Sequence, residues 1–136
     1  MRALCCILLL LLATPASAFT VTSQPDTIIR VIDGDTIEID DVRIRLLAID
    51  TPETFRSRCS REHQLGFAAK VRLEQLLAQQ PVSYQSDGEL DRYNRLLANV
   101  YAGGQDVGAV LLEEGFALRY EHGSKAKLWR MRQWCP

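Results

Sequence analysis

The sequence has no excess of basic residues, no long apolar run, no internal repeat and no low-complexity tract. Its 136 residues carry 16 Lys and Arg against 17 Asp and Glu. Because non-specific affinity for nucleic acid grows with the number of phosphates that a protein neutralises, this balance argues against a protein that coats DNA. The apolar run Leu4–Leu12 is shorter than the about 20 residues that span a bilayer. The chain length predicts one domain.

The N-terminal segment has the pattern of a secretory signal peptide. Arg2 precedes the apolar run, and Ala16-Ser17-Ala18 follows it as a small-residue cleavage site. Cys5 and Cys6 lie inside the apolar run and not at a cleavage point, which argues against a lipoprotein anchor. We therefore expect a signal peptide over residues 1–18 and a periplasmic or secreted mature chain with no stable membrane association.

Two cysteines, Cys59 and Cys135, remain after that cleavage. An even cysteine count in an exported protein favours a disulfide between them. A metal site formed by Cys59 and His63 is the alternative, but no Cys-x-x-Cys or His-x-x-x-His pattern accompanies this pair.

The stretch Val31–Glu53 alternates apolar and polar residues with the period of a β-strand. Its apolar residues at 37 and 39, and at 42, 44 and 46, are separated by single polar residues. This pattern predicts a β-meander with one buried face. We expect strands over residues 27–32, 36–39 and 42–49, with a tight turn at Asp40-Asp41.

Helical spacing of apolar residues begins after this meander. We expect a helix through Gln79 with Ser60 as its N-cap, and a core stripe formed by Leu65, Ala69, Leu73, Leu76 and Leu77. The segment 19–25 is polar and ends in proline, so we expect it to lie over the surface.

The remaining elements predict the fold class. Strands are expected over residues 82–85 and 96–101, and helices over 107–114, capped by Asp106, and over 125–133. Five short strands with a helix after the third predict an α+β fold, an OB-like five-stranded β-barrel with two to three helices. Such barrels commonly bind oligonucleotides or oligosaccharides, although the fold alone proves no chemistry.

Two acidic turns lie at strand ends, Asp33-Gly34-Asp35-Thr36 and Asp50-Thr51-Pro52-Glu53. Either turn alone indicates only a change of chain direction. A sheet that brings both together forms an oxygen-rich pocket, which suits a hard cation such as calcium. We expect Asp33 to hold its turn and not to bind the cation.

These turns, joined by an arginine-containing strand, carry a resemblance to a known family. The chain resembles the staphylococcal nuclease (thermonuclease-like) family at Ile32–Thr36, at Arg45–Glu53 and at Asp91–Arg95. The resemblance extends from about residue 27 to residue 120. Asn94 stands where family members usually have glycine, and asparagine tolerates the left-handed conformation.

The resemblance implies a calcium-dependent nuclease and assigns roles to matching residues. Calcium would be bound by the carboxylates of Asp35 and Asp50 and by the carbonyl of Thr51. The carboxylate of Glu53 would act as general base on a water molecule. The domain would extend over residues 19–136, as a monomer.

The same resemblance assigns the phosphate and substrate contacts. Arg45 and Arg95 would form forked hydrogen bonds with phosphate, a geometry that lysine does not reproduce. Arg45 has the alternative of pairing only with carboxylates. Substrate contacts are expected from Arg92, Tyr93 and Tyr120.

Two functions from different classes remain open. The first is a periplasmic or secreted metal-dependent endonuclease that hydrolyses DNA and/or RNA. The second is an inactive nuclease-like module that binds nucleic acid or a protein partner. Inactive modules typically lose a carboxylate or an arginine, and this chain keeps Asp35, Arg45, Asp50, Glu53 and Arg95, which favours the enzyme. An oligosaccharide-binding barrel leaves this set unexplained.

Overall fold

A computed structural model describes residues 17–24, 27–79 and 81–136. Nearly all of the expected signal peptide lies outside the described residues, so its cleavage stays a prediction. Within the described ranges, no helix is both long and apolar enough to cross a membrane.

The described residues form nine strands and three helices. In chain order they are β1 (Phe19–Thr22), β2 (Ile29–Asp33), β3 (Thr36–Ile39), β4 (Val42–Leu46), β5 (Ile49–Asp50), α1 (Ser60–Leu77), β6 (Val82–Ser86), β7 (Leu96–Ala102), β8 (Gln105–Asp106), α2 (Val107–Glu113), β9 (Leu118–Arg119) and α3 (Ser124–Trp134).

The main sheet has the order β1-β6-β7-β4-β3-β2, with β8 paired to β7. The β4–β7 pair is parallel, and the other pairs are antiparallel. The outer strands β1 and β2 do not pair with each other in the described part of the chain, so the barrel-like sheet is not closed. The predicted α+β class and OB-like architecture are confirmed, with extra short strands added to the predicted five.

The predicted hairpin between β3 and β4 is present at the predicted residues. Asp40 and Asp41 have φ values of 45° and 67°, the left-handed conformation that two-residue hairpin turns require. Ile37 then pairs with Ile44, and both are fully buried. The sequence predicted only one buried face for this meander, but the other face of β3 is buried as well. There Glu38 is buried and forms ion pairs with arginines of β2 and β4.

The predicted strand over residues 42–49 is interrupted. Strand β4 ends at Leu46, and Ala48 has a φ of 61°, which turns the chain out of the main sheet. The next two residues form β5, which pairs with β9: Ile49 lies opposite Arg119. This bend, which the apolar pattern does not reveal, sets the direction in which Asp50 points.

Helix α1 differs from its prediction at both ends and on one face. Cys59, not Ser60, is the N-cap, because its sulfur accepts from the Glu62 amide at 3.4 Å. The helix ends at Leu77, two residues before the predicted end. Leu65 is exposed, because the buried stripe runs through Glu62 and Gly66 instead.

The segment predicted to lie over the surface is described from residue 19 to residue 24 and is mostly exposed, as predicted, but it has regular structure that was not predicted. Its first four residues form β1 and pair with β6, with Phe19 opposite Ser86. The pairing satisfies the free edge of β6, which otherwise presents unpaired main-chain groups to solvent. By contrast, α2 begins after the predicted Asp106 cap, whose side chain accepts from the Ala109 amide.

Candidate active site

The two acidic turns meet, as the sequence predicted. The main-chain nitrogen of Thr51 donates to Oδ2 of Asp35 at 3.2 Å. The Thr54 hydroxyl donates to Oδ1 of Asp33, which also accepts from the Gly34 nitrogen at 2.9 Å. Asp33 therefore holds the turns together, the structural role that the sequence predicted for it.

Arg45 lies between the two carboxylates that were predicted to bind calcium. Its Nη2 is 3.1 Å from Oδ2 of Asp35 and 3.1 Å from Oδ1 of Asp50. Its Nη1 donates to the carbonyls of Leu46 and Ile49 at 2.8 and 2.9 Å. Because both carboxylate oxygens contact one nitrogen, they lie close enough to face a common ligand.

The donor set fits a hard cation better than a transition metal. Asp35 and Asp50 offer carboxylate oxygens, and the buried hydroxyl of Thr51 has no hydrogen-bond partner among the described residues. No group of three or more His, Cys, Asp or Glu residues is arranged to bind a metal in the described ranges. Two carboxylates supplemented by main-chain, hydroxyl and water oxygens match calcium coordination.

Glu53 lies at the solvent-facing side of this acidic cluster. Partial burial of its carboxyl group raises its pKa, and repulsion from Asp33, Asp35 and Asp50 raises it further. Burial also raises the pKa of Asp50, although its hydrogen bond with Arg130 opposes that effect. A carboxylate whose pKa is raised accepts a proton more readily, which suits the role of a general base.

The second predicted phosphate-binding arginine reaches the cluster through a hydroxyl. Arg95 pairs with Asp91 at 2.6 Å and donates to the Thr36 hydroxyl at 3.1 Å. That hydroxyl donates to Oδ1 of Asp35 at 3.0 Å. Asn94 has a φ of 62°, so asparagine forms the turn for which the family usually uses glycine.

The predicted substrate-contact residues fall into two groups. Arg92 and Tyr93 are exposed, and the Arg95 guanidinium lies 5.4 Å from the Tyr93 ring centroid. Tyr120 lies on the other side, with its ring centroid 5.9 Å from the Arg45 guanidinium. Tyr93 and Tyr120 thus each lie beside one of the two predicted phosphate-binding arginines, and Arg92 contacts Tyr93.

The cysteine prediction is confirmed. Cys59 and Cys135 form a disulfide that joins the start of α1 to the end of α3. The alternative metal site formed by Cys59 and His63 is therefore wrong. His63 is exposed in the first turn of α1.

Sequence reasoning missed two charged residues that support the cluster. Arg130 of α3 is only 3% exposed, and its Nε donates to Oδ2 of Asp50 at 2.8 Å. Glu62 of α1 is fully buried, and its carboxylate accepts from the main-chain nitrogens of Arg58 and Glu53. Burial alone would raise the pKa of Glu62, but these hydrogen bonds and the Arg58 guanidinium lower it overall.

The sequence around Arg130 and around Glu62 does not indicate that either side chain is buried. Arg130 is 80 residues from Asp50, in a segment rich in basic residues that resembles any solvated helix. Glu62 lies in the first turn of α1, where an acidic residue complements the helix dipole, so its position in the sequence gives no sign of burial.

Comparisons with known proteins agree with the resemblance seen in the sequence. The sequence model of the family described as staphylococcal nuclease homologue matches residues 43–133. The chain is 33% identical to the micrococcal nuclease of Shigella flexneri, over 92% of this chain and 72% of that protein. It is 41% identical to the thermonuclease of Staphylococcus intermedius, over 65% of this chain and 55% of that protein. Identity to the endonuclease YncB of Bacillus subtilis is 37%, over 67% of this chain and 46% of that protein.

The matched range includes most of the candidate site. It contains Arg45, Asp50, Glu53 and Arg95, whereas Asp35 lies before its first residue. The chain spans only about half the length of the thermonuclease and of YncB, and nearly three quarters of the Shigella protein. By the extent of the match and by these relatives, the chain belongs to the staphylococcal nuclease family.

Proposed function

We propose that the protein is an exported, calcium-dependent endonuclease that hydrolyses phosphodiester bonds of DNA and/or RNA. The observation that carries this proposal is the contact of Arg45 with both Asp35 and Asp50. Two carboxylates and a guanidinium thus lie together, and these are the groups that would hold a cation and a phosphate in metal-assisted hydrolysis. The names of the relatives, nuclease and endonuclease, support the same activity.

Calcium would be held by Asp35, Asp50 and an oxygen of Thr51. When bound, it supplies Lewis-acid neutralisation of the charge on the phosphate oxygens. The chain's own residues would do the remaining work. Glu53 would take the proton of the attacking water at its carboxylate, for which its raised pKa is suited.

Two arginines would bind and orient the phosphate. Arg45 is held in the centre of the site by the carbonyls of Leu46 and Ile49, which leaves the Nη2 edge of its guanidinium facing the carboxylates. Arg95 is held by Asp91 at the edge of the same cluster. A guanidinium donates two parallel hydrogen bonds to phosphate oxygens, which fixes geometry as well as charge.

Substrate would run across the exposed aromatic residues on both sides of the site. Tyr93 and Tyr120 are 62% and 42% exposed, and bases of a single strand stack on such rings. Arg92 lies 4.7 Å from the Tyr93 ring and would contact the sugar-phosphate backbone. Because the net charge of the chain is −1, attraction of the substrate would depend on these local cations.

Export and a monomeric state are part of the proposal. The signal-peptide pattern supports export, and the Cys59–Cys135 disulfide is typical of an oxidising compartment. The mass of the exported chain tests the expected cleavage after Ala18.

The activity is tested with the oxidised mature chain on circular single-stranded DNA and on circular RNA. An endonuclease linearises a substrate that has no ends, and the reaction should require calcium and stop with chelator. Retention of either nucleic acid without cleavage, in the presence of calcium, would favour the inactive binding module instead.

A further inference from the structure

Arg130 is a buried cation whose guanidinium is fixed on several sides. Its Nε donates to Oδ2 of Asp50 at 2.8 Å, and its Nη1 donates to the carbonyl of Glu121 at 3.1 Å. Its guanidinium also lies 4.9 Å from the ring centroid of Tyr120. The side chain is 4% exposed, so little freedom remains for it to turn.

The contact with Arg130 determines how Asp50 is turned. The carboxylate has two oxygens: Oδ2 faces Arg130, and Oδ1 faces Arg45 and, beyond it, Asp35. A rotation of this carboxylate would break the short hydrogen bond to Nε. Arg130 therefore keeps Oδ1 directed toward the shared position beside Asp35.

We propose that Arg130 is a positioning residue that orients Asp50 for cation binding, an inference that rests on the proposed function. Partners that orient metal ligands typically change metal affinity or activity by 10–100-fold when mutated. Arg130 contacts neither the phosphate nor the attacking water in this role, and acts only through Asp50.

The disulfide fixes the helix that carries Arg130. Cys135 directly follows the last residue of α3 and is bonded to Cys59 at the N-cap of α1. Only Arg130 and Trp134 are buried among the residues of α3. Because the helix has so few buried anchors, the covalent bond limits how far Arg130 can move from Asp50.

Loss of the charge of Arg130 and loss of its orienting contact should change the calcium affinity in opposite directions, so the two effects can be measured separately. Removal of a positive charge beside carboxylate ligands should by itself strengthen calcium binding. Loss of the orientation of Asp50 should weaken calcium binding. Arg130→Lys keeps the charge and removes the fixed pair of donors, so it isolates geometry. Arg130→Gln removes both.

The test compares Arg130→Lys and Arg130→Gln with Arg132→Lys and Arg132→Gln, which change an exposed arginine of the same helix. Calcium affinity is measured by calorimetry on oxidised, folded protein, and kcat and KM are measured on single-stranded DNA. We expect Arg130→Lys to weaken calcium binding about 10-fold or more and to lower kcat, with both Arg132 variants like the parent.

The other outcomes overturn the inference in distinguishable ways. Arg130→Lys with parent-like calcium affinity and kcat, and only a lower melting temperature, would show a purely structural role. Tighter calcium binding by Arg130→Gln, with no effect of Arg130→Lys, would show a charge effect. If the parent itself neither binds calcium nor cleaves, the proposed function fails, and the inference fails with it.

A reduced-protein measurement covers the case in which the Arg130 variants do not fold. Mild reduction of the parent loosens the end of α3 without changing a charge at Asp50. We expect weaker calcium binding by the reduced, still folded protein. Identical affinity of the reduced and oxidised forms would contradict the role of the disulfide-anchored Arg130.

Discussion

The carboxylate of Glu62 accepts a hydrogen bond from the main-chain nitrogen of Glu53, so the first turn of α1 holds the turn that carries the proposed base. Gly66 allows the close approach, because a Cβ at this position would lie 2.7 Å from the carbonyl oxygen of Pro52. The buried carboxylate of Glu62 thus supports the main chain of Glu53, whose own side chain is exposed.

Glu62→Gln should destabilise the fold at neutral pH. The change removes a charged acceptor of hydrogen bonds from Arg58 and Glu53, which we expect to lower the free energy of unfolding by about 2 kcal/mol. The pKa of Glu62 is lowered in the fold, so its contribution is present above the unfolded pKa and is lost as the pH falls through the folded pKa.

Urea unfolding at pH 7 and at pH 3 measures this difference, with Glu74→Gln, an exposed change on the same helix, as the control. The deficit of Glu62→Gln should shrink at pH 3, and the control should match the parent at both values. An equal deficit at both pH values would show that the charge of Glu62 is not what supports the turn.

Glu53→Gln should increase the free energy of unfolding at neutral pH, in contrast to Glu62→Gln, and it should slow cleavage. Partial burial and four nearby carboxylates raise the pKa of Glu53. Ionised Glu53 therefore opposes folding at neutral pH, and neutral glutamine should increase the free energy of unfolding at pH 7. Below the unfolded pKa of glutamate the gain should vanish. Loss of the base should slow cleavage about 100-fold or more.

Unfolding at both pH values and cleavage rates of the parent across pH measure these effects, with exposed Glu113→Gln as the control. The parent rate should fall as the pH is lowered and the carboxylate of Glu53 becomes protonated. Cleavage by Glu53→Gln at the parent rate would show that Glu53 is only a turn residue.

Asp35→Asn and Arg45→Lys should both slow cleavage, but for different reasons. Asp35→Asn removes a charged oxygen ligand, so its calcium affinity should fall, and high calcium should partly restore cleavage. Arg45→Lys keeps a positive charge but loses the fork that holds the phosphate, so calcium should not restore it. Cleavage rates across a calcium titration separate the two.

Asp41→Asn is the control for these variants, since it lies in the exposed β3–β4 turn with a φ of 67°, which asparagine adopts readily. It should cleave like the parent. Full rescue of Arg45→Lys by calcium would contradict the assignment of Arg45 to phosphate.

The disulfide should stabilise the fold by an amount that rises with the logarithm of the length of the loop that it closes. Cys59 and Cys135 are separated by 76 residues, for which chain entropy predicts roughly 4 kcal/mol. The double change of both cysteines to serine should lower the free energy of unfolding by about that amount. Serine at position 59 keeps an N-cap oxygen, so α1 should still form.

Thiol titration of the exported parent, unfolded without reductant, should find no free sulfhydryl. Its intact mass should correspond to a chain that begins at Phe19. Two free thiols per exported chain would contradict the disulfide, and a mass that includes Met1 would contradict the signal peptide.

Much of the site was predictable because its key residues are local in sequence. Asp35, Arg45 and Asp50 lie within one meander, and the register of β3 against β4 places Thr36 opposite Arg45. Strand alternation and acidic turns are short-range signals, so the sequence alone indicated the pocket. Asp40-Asp41 was likewise predictable, because two-residue hairpin turns require residues that tolerate positive φ.

The missed features depend on long-range packing. The contact of Arg130 with Asp50 forms only after α3 docks, and nothing near Arg130 in sequence distinguishes it from an exposed arginine. Leu65 was expected in the core because of its apolar side chain, yet packing of Gly66 against the Pro52–Glu53 turn rotates the helix so that Leu65 faces outward. Ala48 has no residue-type signal for its positive φ.

Calcium-dependent cleavage by the oxidised mature chain tests the proposed nuclease activity. Single-stranded DNA and RNA are incubated with calcium, with excess chelator, and with chelator followed by added calcium, each beside Glu53→Gln. We predict cleavage by the parent with calcium, no cleavage with chelator, recovery on re-addition, and about 100-fold or slower cleavage by Glu53→Gln. A parent that binds either nucleic acid in calcium but leaves it intact would contradict the proposal.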